Sequence, residues 1–236
     1  MTTATPWSGT LANLSWPAVP TRPVVLVPLG SFEQHGPHLP LDTDTRIAVA
    51  VADGTARRMP SGTVVTPPVT FTASGEHQAF PGTLSIGHEA LHLMLVELVR
   101  SMSTWSGRVV FVNGHGGNVS CLRRVVTDLA EEGRDATWVP CAPPGGDAHA
   151  GHTETSLLLH LAPEQVDMAA AVTGNTTPVR ELMPALRAGG VAAVSPTGVL
   201  GDPTGASAEE GARLLDRLVA DALQRIGATP ATRAAR

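Results

Sequence analysis

Short apolar runs rich in β-branched residues alternate with helix-spaced apolar patterns along this chain. The runs predict strands at residues 24–27, 64–65, 108–113 and 137–141. The apolar spacing between and after them predicts helices at 46–59, 91–102, 118–133 and 207–226, and a further helix that starts within residues 147–156. Asn118 is a candidate cap of the third of these helices. Strands that alternate with helices are typical of α/β proteins. We therefore predict an α/β fold with a mostly parallel central sheet flanked by helices.

The size and composition of the chain suit one folded domain. Of its 236 residues, 42% are hydrophobic and 16% are charged, so enough apolar side chain is present to form a sizeable core. We expect a single domain over residues 1–228, an irregular segment at 178–205 and a disordered tail at 229–236. Residues 1–10 lack the pattern of a signal peptide, and no apolar run reaches the roughly 18 residues of a membrane span. We therefore expect a cytoplasmic protein that does not insert into a membrane.

The titratable residues exclude several classes of function. The 16 basic residues are all arginine, and neither lysine nor tyrosine is present, which excludes Schiff-base chemistry on a lysine. The formal net charge is −5, and no basic cluster is longer than the pair Arg123-Arg124, so nucleic acid is not an expected partner. The two cysteines, Cys121 and Cys141, are too few for a disulfide framework or a cysteine-based zinc site.

Histidine and carboxylate residues are concentrated in loops that follow the predicted strands. Six of the nine histidines lie in these loops or in the turn at His77. Loops that follow parallel strands converge at one edge of the sheet, and imidazole together with carboxylate suits a hard or borderline divalent metal. A lone histidine is more often a cap or a satisfied polar group, but the whole set favours a metal site. The candidate residues are Glu33, His35, His38, Asp42, Asp44, His77, His115, His149, His152 and Glu154.

The strings at residues 33–40 with Asp44, at 113–118 and at 154–156 resemble those of the creatininase family of dinuclear metal amidohydrolases. The resemblance implies a three-layer fold, two divalent ions per chain (Zn, Fe(II) or Mn) and a homo-oligomer. Within the family, the strings at 73–78, 147–156 and 192–203 are most similar to the mycofactocin-system branch. That branch implies a modified ribosomal precursor peptide as substrate, from which a C-terminal dipeptide derived from cross-linked Val and Tyr is released.

The resemblance also implies metal-binding roles for individual residues. Four residues match metal ligands of the family, the third of them as the bridging carboxylate: Glu33, His35, Asp44 and His115. Members that hydrolyse creatinine carry a further ligand glutamate where this chain has Gly117, and we expect Glu154 to replace it. Gly145 stands where those members have a tryptophan that closes over creatinine. These two departures disfavour creatinine as the substrate.

The implied chemistry is hydrolysis of an amide bond. Two adjacent cations lower the pKa of a shared water, so that a bridging hydroxide can attack the carbonyl carbon at neutral pH. His149 matches the family's catalytic histidine and would protonate the departing amine. His152, three residues later in the same loop, is the alternative acid.

Further residues are expected around the ligands and the substrate. His38 and Asp42 either orient the ligands or only bond their own loop. His77 lies in a Gly- and Pro-rich loop near the predicted site. Residues 80–83 and Trp138 are candidates to line the substrate pocket, although an aromatic residue is more often part of the core.

Two other functions stay open at this point. One is an amidohydrolase that acts on a small cyclic amide or a formamide. The other is an α/β module that binds a phosphate or nucleotide on the Gly-rich turn at 114–117 and holds a purely structural metal. Serine hydrolase chemistry requires a Gly-x-Ser-x-Gly turn, which the sequence lacks.

Overall fold

Parallel strands form the centre of the computed structural model, which describes residues 9–228. The strands are β1 (Val24–Leu29), β2 (Thr63–Val65), β3 (Arg108–Asn113) and β4 (Ala136–Pro140). They lie in the order β2-β1-β3-β4, and every pair is parallel. In the register of the sheet, Leu26 is opposite Val65 on one side and Val110 on the other. Because both faces of β1 are covered, its sequence is a continuous apolar run instead of an alternating one.

Helices cover both faces of this sheet. Within residues 9–228 they are α1 (Thr43–Arg58), α2 (Gly87–Met102), α3 (Val119–Glu131), α4 (His152–Leu161), α5 (Val179–Gly189) and α6 (Ala208–Ala228). Leu26 and Val110 pack in a core with α1, α4 and α6, whereas Val25 and Val109 pack in a second core with α2 and α3. Successive side chains of a strand point to opposite faces, which produces these two cores. The predicted three-layer α/β fold is thereby confirmed.

Three local predictions need correction. The segment at 178–205, predicted to be irregular, contains α5, whose pattern is interrupted in the sequence by Pro184 inside the helix. Asn118 does not cap α3 with its side chain, because its Oδ1 accepts the backbone N–H of Ala73 at 3.4 Å instead. Helix α1 begins at Thr43, three residues earlier than predicted, which places Asp44 in its first turn.

The expected disordered tail at 229–236 lies outside the described residues, and the extent of the single domain stays a prediction. No helix within residues 9–228 is both long enough and apolar enough to span a bilayer.

Candidate metal centre

The candidate residues lie together where the sheet ends. Residues 30–44 follow β1, residues 114–118 follow β3, and the segment after β4 reaches residues 147–154. Gly114 N–H donates to the carbonyl of Leu29 at 2.8 Å, and Cys141 N–H donates to that of Asn113 at 2.8 Å. The three loops are therefore held side by side at the carboxyl ends of the strands, which is where α/β sheets bind ligands.

Asp44 reaches the site because helix α1 begins directly against the strand ends. A Cβ atom at Gly114 would overlap the carbonyl oxygen of Asp44, so only glycine permits this approach. Ser31 Oγ donates to Asp44 Oδ2 at 2.8 Å and fixes the carboxylate. Its position in the first turn of α1 also favours a negative charge.

The two oxygens of Asp44 face two different imidazoles. Asp44 Oδ1 lies 3.2 Å from His35 Nε2, and Asp44 Oδ2 lies 3.1 Å from His115 Nδ1. Glu33 Oε1 also lies 3.1 Å from His115 Nδ1, and Glu154 Oε2 lies 3.8 Å from His35 Nε2. Asp44 is therefore the central carboxylate of the cluster, with one set of donor atoms on each side.

These side chains form overlapping groups that can hold a metal ion. In each group, one donor atom from every residue lies within 4.8 Å of the others. The groups are Glu33 with His35 and Asp44, His35 with His149 and Glu154, and Glu33 with His77 and His149.

Backbone carbonyls set the orientation of three imidazoles. His35 Nδ1–H donates to the carbonyl of Glu33 at 3.1 Å, and His115 Nε2–H donates to that of Ala73 at 3.1 Å. His149 Nε2–H donates to the carbonyl of Gln34 at 2.8 Å. A carbonyl can only accept, so in each ring the proton is held on the outer nitrogen and the other nitrogen faces the cluster. Metal-binding histidines are oriented in this way.

The carboxylate of Glu33 gives the clearest sign that the cluster fits a cation. The side chain is fully buried, and neither of its oxygens accepts a hydrogen bond of regular geometry from residues 9–228. Its neighbour His115 can offer a proton from Nδ1 only as an imidazolium, because Nε2–H is already committed to Ala73. A buried carboxylate without donors is costly unless a cation balances it. The residues present therefore fit divalent metal ions.

The electrostatics of the cluster point the same way. Burial works against a charge on His35, but the attraction of Asp44 outweighs it and raises the pKa of His35 to about 10. Burial likewise opposes ionisation of Asp44, yet the nearby His35 and His115 hold its pKa well below the usual range. Burial raises the pKa of Glu154 to about 8. The cluster thus attracts positive charge strongly, in the form of protons or of cations.

This competition predicts how metal binding depends on pH. Because the pKa of His35 is raised to about 10, the ring carries a proton at neutral pH that a metal ion must displace. We expect the affinity for Zn to rise by at least about tenfold per pH unit between pH 6 and 8, with net proton release. Calorimetric titration in two buffers of different ionisation enthalpy measures both quantities. An affinity that stays constant over this range would contradict the assignment of His35 as a ligand.

His77 is held differently from the other three imidazoles. Gly36 N–H donates to Gln34 Oε1 at 2.9 Å, which fixes the amide so that Gln34 Nε2 donates to His77 Nδ1 at 2.8 Å. The remaining proton of His77 is then on Nε2, which lies 3.3 Å from Glu33 Oε1. Burial, together with the positive charge of His115, lowers the pKa of His77 to about 3. His77 is therefore neutral and lies close to Glu33 without forming a regular hydrogen bond to it, so it does not balance the charge of that carboxylate.

Two further predicted residues contact the site indirectly or not at all. His38 Nε2 bonds Thr155 Oγ1 at 2.8 Å, which ties the first loop to α4 next to Glu154. Asp42 accepts from Arg46 Nε at 2.7 Å in a half-exposed pair. Of the two roles left open for Asp42, this contact matches the plainer one, in which it only stabilises the loop and the start of α1.

The structure distinguishes His149 from His152, the alternative acid. His149 is buried, lines the cleft above the cluster and has Nδ1 3.9 Å from Glu33 Oε1. His152 begins α4 and is not among the residues that line the cleft. The carboxylates near His152 include those of Asp202 and Glu210, outside the cluster.

The aromatic residues considered for the substrate pocket do not line the cleft. Trp138 lies opposite Phe111 in the sheet and packs at the edge of the core under α2 and α3. Neither Trp138 nor residues 80–83 line the cleft of about 920 Å³ above the cluster. Helix α5 forms an apolar wall of this cleft. The sequence did not predict this helix, although its apolar residues recur at helical spacing: Val179, Met183 and Leu186.

Glu76 is a second residue that the sequence reading missed. A Cβ atom at Gly117 would overlap both the carboxylate of Glu76 and the Nε2 atom of His115, so no side chain fits there. Glu76 Oε1 lies 3.6 Å from His115 Nε2. The chain therefore has a carboxylate near the place where a residue 117 side chain would project, and the signal was a glutamate beside His77 in a Gly-rich loop.

A buried cluster of imidazole and carboxylate donors at the strand ends of a three-layer α/β fold is an arrangement that metal-dependent hydrolases use. The family model described as creatinine amidohydrolase matches residues 12–226. The chain belongs to the creatininase family.

Individual relatives extend this finding. The chain is 59% identical over 208 residues to a protein from Mycolicibacterium smegmatis named mycofactocin precursor peptide peptidase, covering 86% of this chain and 84% of that one. It is 58% identical over 213 residues to the protein of the same name from Mycobacterium ulcerans, covering 87% and 85%. Among solved structures, a mutant creatininase of Zn-Zn type matches with a TM-score of 0.76 and 25% identity, covering 92% of this chain and 96% of that one.

Proposed function

We propose that this chain is a metal-dependent peptidase that cleaves the mycofactocin precursor peptide and releases its modified C-terminal dipeptide, derived from cross-linked Val and Tyr. The observation that carries the proposal is the buried cluster around Asp44 at the floor of a cleft of about 920 Å³. A cleft of this size accommodates a peptide segment. Relatives of that name at 58–59% identity support the choice of substrate.

We propose that the cluster holds two divalent ions, which are Zn, Fe(II) or Mn, with Asp44 shared between them. Glu33 and His115 would complete one position, and His35 and Glu154 the other. This division follows the distances from the two oxygens of Asp44 and from Glu33 and Glu154 to the two imidazoles. When bound, such a pair of ions lowers the pKa of a water and polarises the carbonyl of the bond to be cleaved.

His149 moves the proton in this proposal. Its Nε2–H is held by the carbonyl of Gln34, so that Nδ1 is directed to the cluster and the cleft. Burial, together with the positive charge of His35, keeps the pKa of His149 well below its usual range, so the free ring is neutral with an open lone pair on Nδ1, and the ring readily gives up a proton once it carries one. The ring takes a proton from the attacking water and passes it to the departing amine nitrogen.

The reaction is tested with the purified, metal-loaded protein and a synthetic precursor peptide that carries the modified C-terminus. We expect mass spectrometry to show two products, the modified dipeptide and the shortened peptide. Creatinine and an N-formyl amine, incubated in parallel, serve as small-amide comparisons. Turnover of either small amide without cleavage of the peptide would contradict the proposal and favour the small-amide alternative.

A separate prediction concerns Glu154, the proposed replacement ligand. We expect Glu154→Gln to lower the metal content from two ions per chain to one and to reduce peptide hydrolysis by roughly 100-fold, because the amide is a weaker ligand than the carboxylate 3.8 Å from His35. Elemental analysis counts the ions. Glu164→Gln is the matched control, since Glu164 is exposed just after α4, does not line the cleft and should leave both ions in place. A Glu154→Gln protein with both ions and full activity would refute this role.

We further propose that the protein acts in the cytoplasm as a homo-oligomer. The thiols of Cys121 and Cys141 are free, which suits a reducing compartment.

Three apolar side chains around one groove are 39–51% exposed and form a candidate contact between subunits: Phe71, Leu84 and Ile86. Light scattering on the eluted protein gives the mass, and the mass of one chain would contradict the oligomer.

A further inference from the structure

Helix α5 forms a wall of the cleft without packing into either core. None of its residues is buried, and Val179 is 44% exposed. Val179, Met183 and Leu186 are spaced by four and three residues, so they share one helix face, and all three line the cleft. The helix thus presents its apolar face to the cleft and to whatever enters it.

Two arginines line the same cleft without an ion-pair partner. Arg123 on α3 and Arg187 on α5 are both exposed lining residues. No carboxylate of residues 9–228 forms an ion pair with either of them, whereas the adjacent Arg124 pairs with Glu89 at 3.0 Å. Most other arginines in the described part of the chain have such partners. The two guanidinium groups are therefore available to a ligand in the cleft.

The carboxylates that also line the cleft are engaged elsewhere. Asp147 accepts the backbone N–H of Thr153 at 3.0 Å and that of His152, which fixes the start of α4. Glu76 is directed at the ring of His115, with Oε1 3.6 Å from Nε2. Asp44 and Glu154 lie within the proposed metal cluster. The positive charge of Arg123 and Arg187 is thus not balanced by these groups.

We propose that Arg123 and Arg187 bind an acidic side chain of the peptide, close to the bond that is cleaved, so that the enzyme selects an acidic peptide segment. This inference rests on the proposed peptidase function. A guanidinium presents paired N–H donors that match a carboxylate, and partial enclosure by the cleft strengthens the interaction relative to open water. The apolar face of α5 then supports the hydrophobic part of the same segment.

The test compares two peptides on the metal-loaded, full-length protein. The first is an uncleavable analogue of the precursor peptide, in which the scissile bond is N-methylated. The second is the same uncleavable analogue with Asn or Gln in place of every Asp and Glu among the roughly ten residues before that bond. Fluorescence anisotropy gives the two dissociation constants. We expect the acidic analogue to bind about tenfold more tightly, and this ratio to fall to nearly one in the Arg123→Gln, Arg187→Gln double variant.

Arg124→Gln is the matched control, because it removes a neighbouring positive charge whose partner, Glu89, lies outside the cleft lining. It should keep the full ratio. The same two peptides without N-methylation are cleavable and give the kinetic constants. For the acidic one, the double variant should have a higher KM than the wild type and nearly the same kcat, since neither arginine is placed at the reacting atoms. A double variant that keeps the tenfold ratio, or a wild-type protein with no preference, would overturn the subsite.

The experiment distinguishes failure of the proposed peptidase reaction from failure of the proposed arginine subsite. If the wild-type protein cleaves neither cleavable peptide but keeps the arginine-dependent binding ratio, the subsite is supported and the reaction is wrong. If it cleaves both peptides equally and binds both analogues equally, the reaction is supported and the subsite is wrong.

Discussion

Asp44→Ala is expected to abolish peptide hydrolysis and to reduce bound metal more than the loss of any single terminal ligand. One oxygen of Asp44 lies 3.2 Å from His35 and the other 3.1 Å from His115, so the substitution removes a donor from both proposed positions. It also removes the negative charge that would screen two neighbouring cations from each other. We expect fewer than one ion per chain and a rate at least about 10⁴-fold lower, with elemental analysis and peptide cleavage measured on the same sample.

Asp42→Ala is the control for this variant. Asp42 lies two residues earlier, is half-exposed and pairs with Arg46, so its loss should leave metal content and rate close to those of the wild type. Circular dichroism of both variants verifies that α1 still forms. Two ions per chain in Asp44→Ala would contradict the role of Asp44 as the shared carboxylate.

His149→Ala is expected to keep both metal ions and to lower the rate of peptide hydrolysis by roughly 10²–10⁴-fold, the range typical of general acid–base catalysis. The loss should be smaller for a substrate with an activated leaving group, because such a group needs less protonation as it departs. The comparison requires rates for a peptide and for an activated ester or anilide, together with metal analysis of the variant.

His152→Ala is the matched control, since His152 lies in the same segment but not among the residues that line the cleft. It should retain nearly full activity. Loss of an ion from His149→Ala would instead make His149 a ligand, consistent with the groups it forms with His35 and Glu154. A leaving-group-dependent defect confined to His152→Ala would identify His152 as the acid.

The sequence predicts the sheet well because its strands are buried on both faces. The run at 24–27 and the run at 109–112 have no polar interruption, and this pattern is typical of central parallel strands. Once the strands are assigned, the rule that ligands bind at their carboxyl ends brings Glu33, His35 and His115 to one place. The rest of the cluster follows because α1 and α4 begin beside these loops.

What the sequence did not predict depends on contacts between distant segments. The wall formed by α5 was missed because Pro184 interrupts its helical pattern, and its apolar face points at a cleft instead of a core. Trp138 was expected at the substrate, but the pleat of β4 and its position opposite Phe111 direct it to the core edge. The crowding of Gly117 by Glu76 joins residues 41 positions apart, and no local pattern reveals it.

The most direct test of the central claim measures metal content and peptide cleavage together. The full-length protein is stripped with a chelator, reloaded in steps with Zn, Mn or Fe(II), and assayed at each step for bound ions and for release of the modified dipeptide. The account predicts no cleavage by the stripped protein and full cleavage only as the content approaches two ions per chain. Undiminished cleavage by the stripped protein would contradict it.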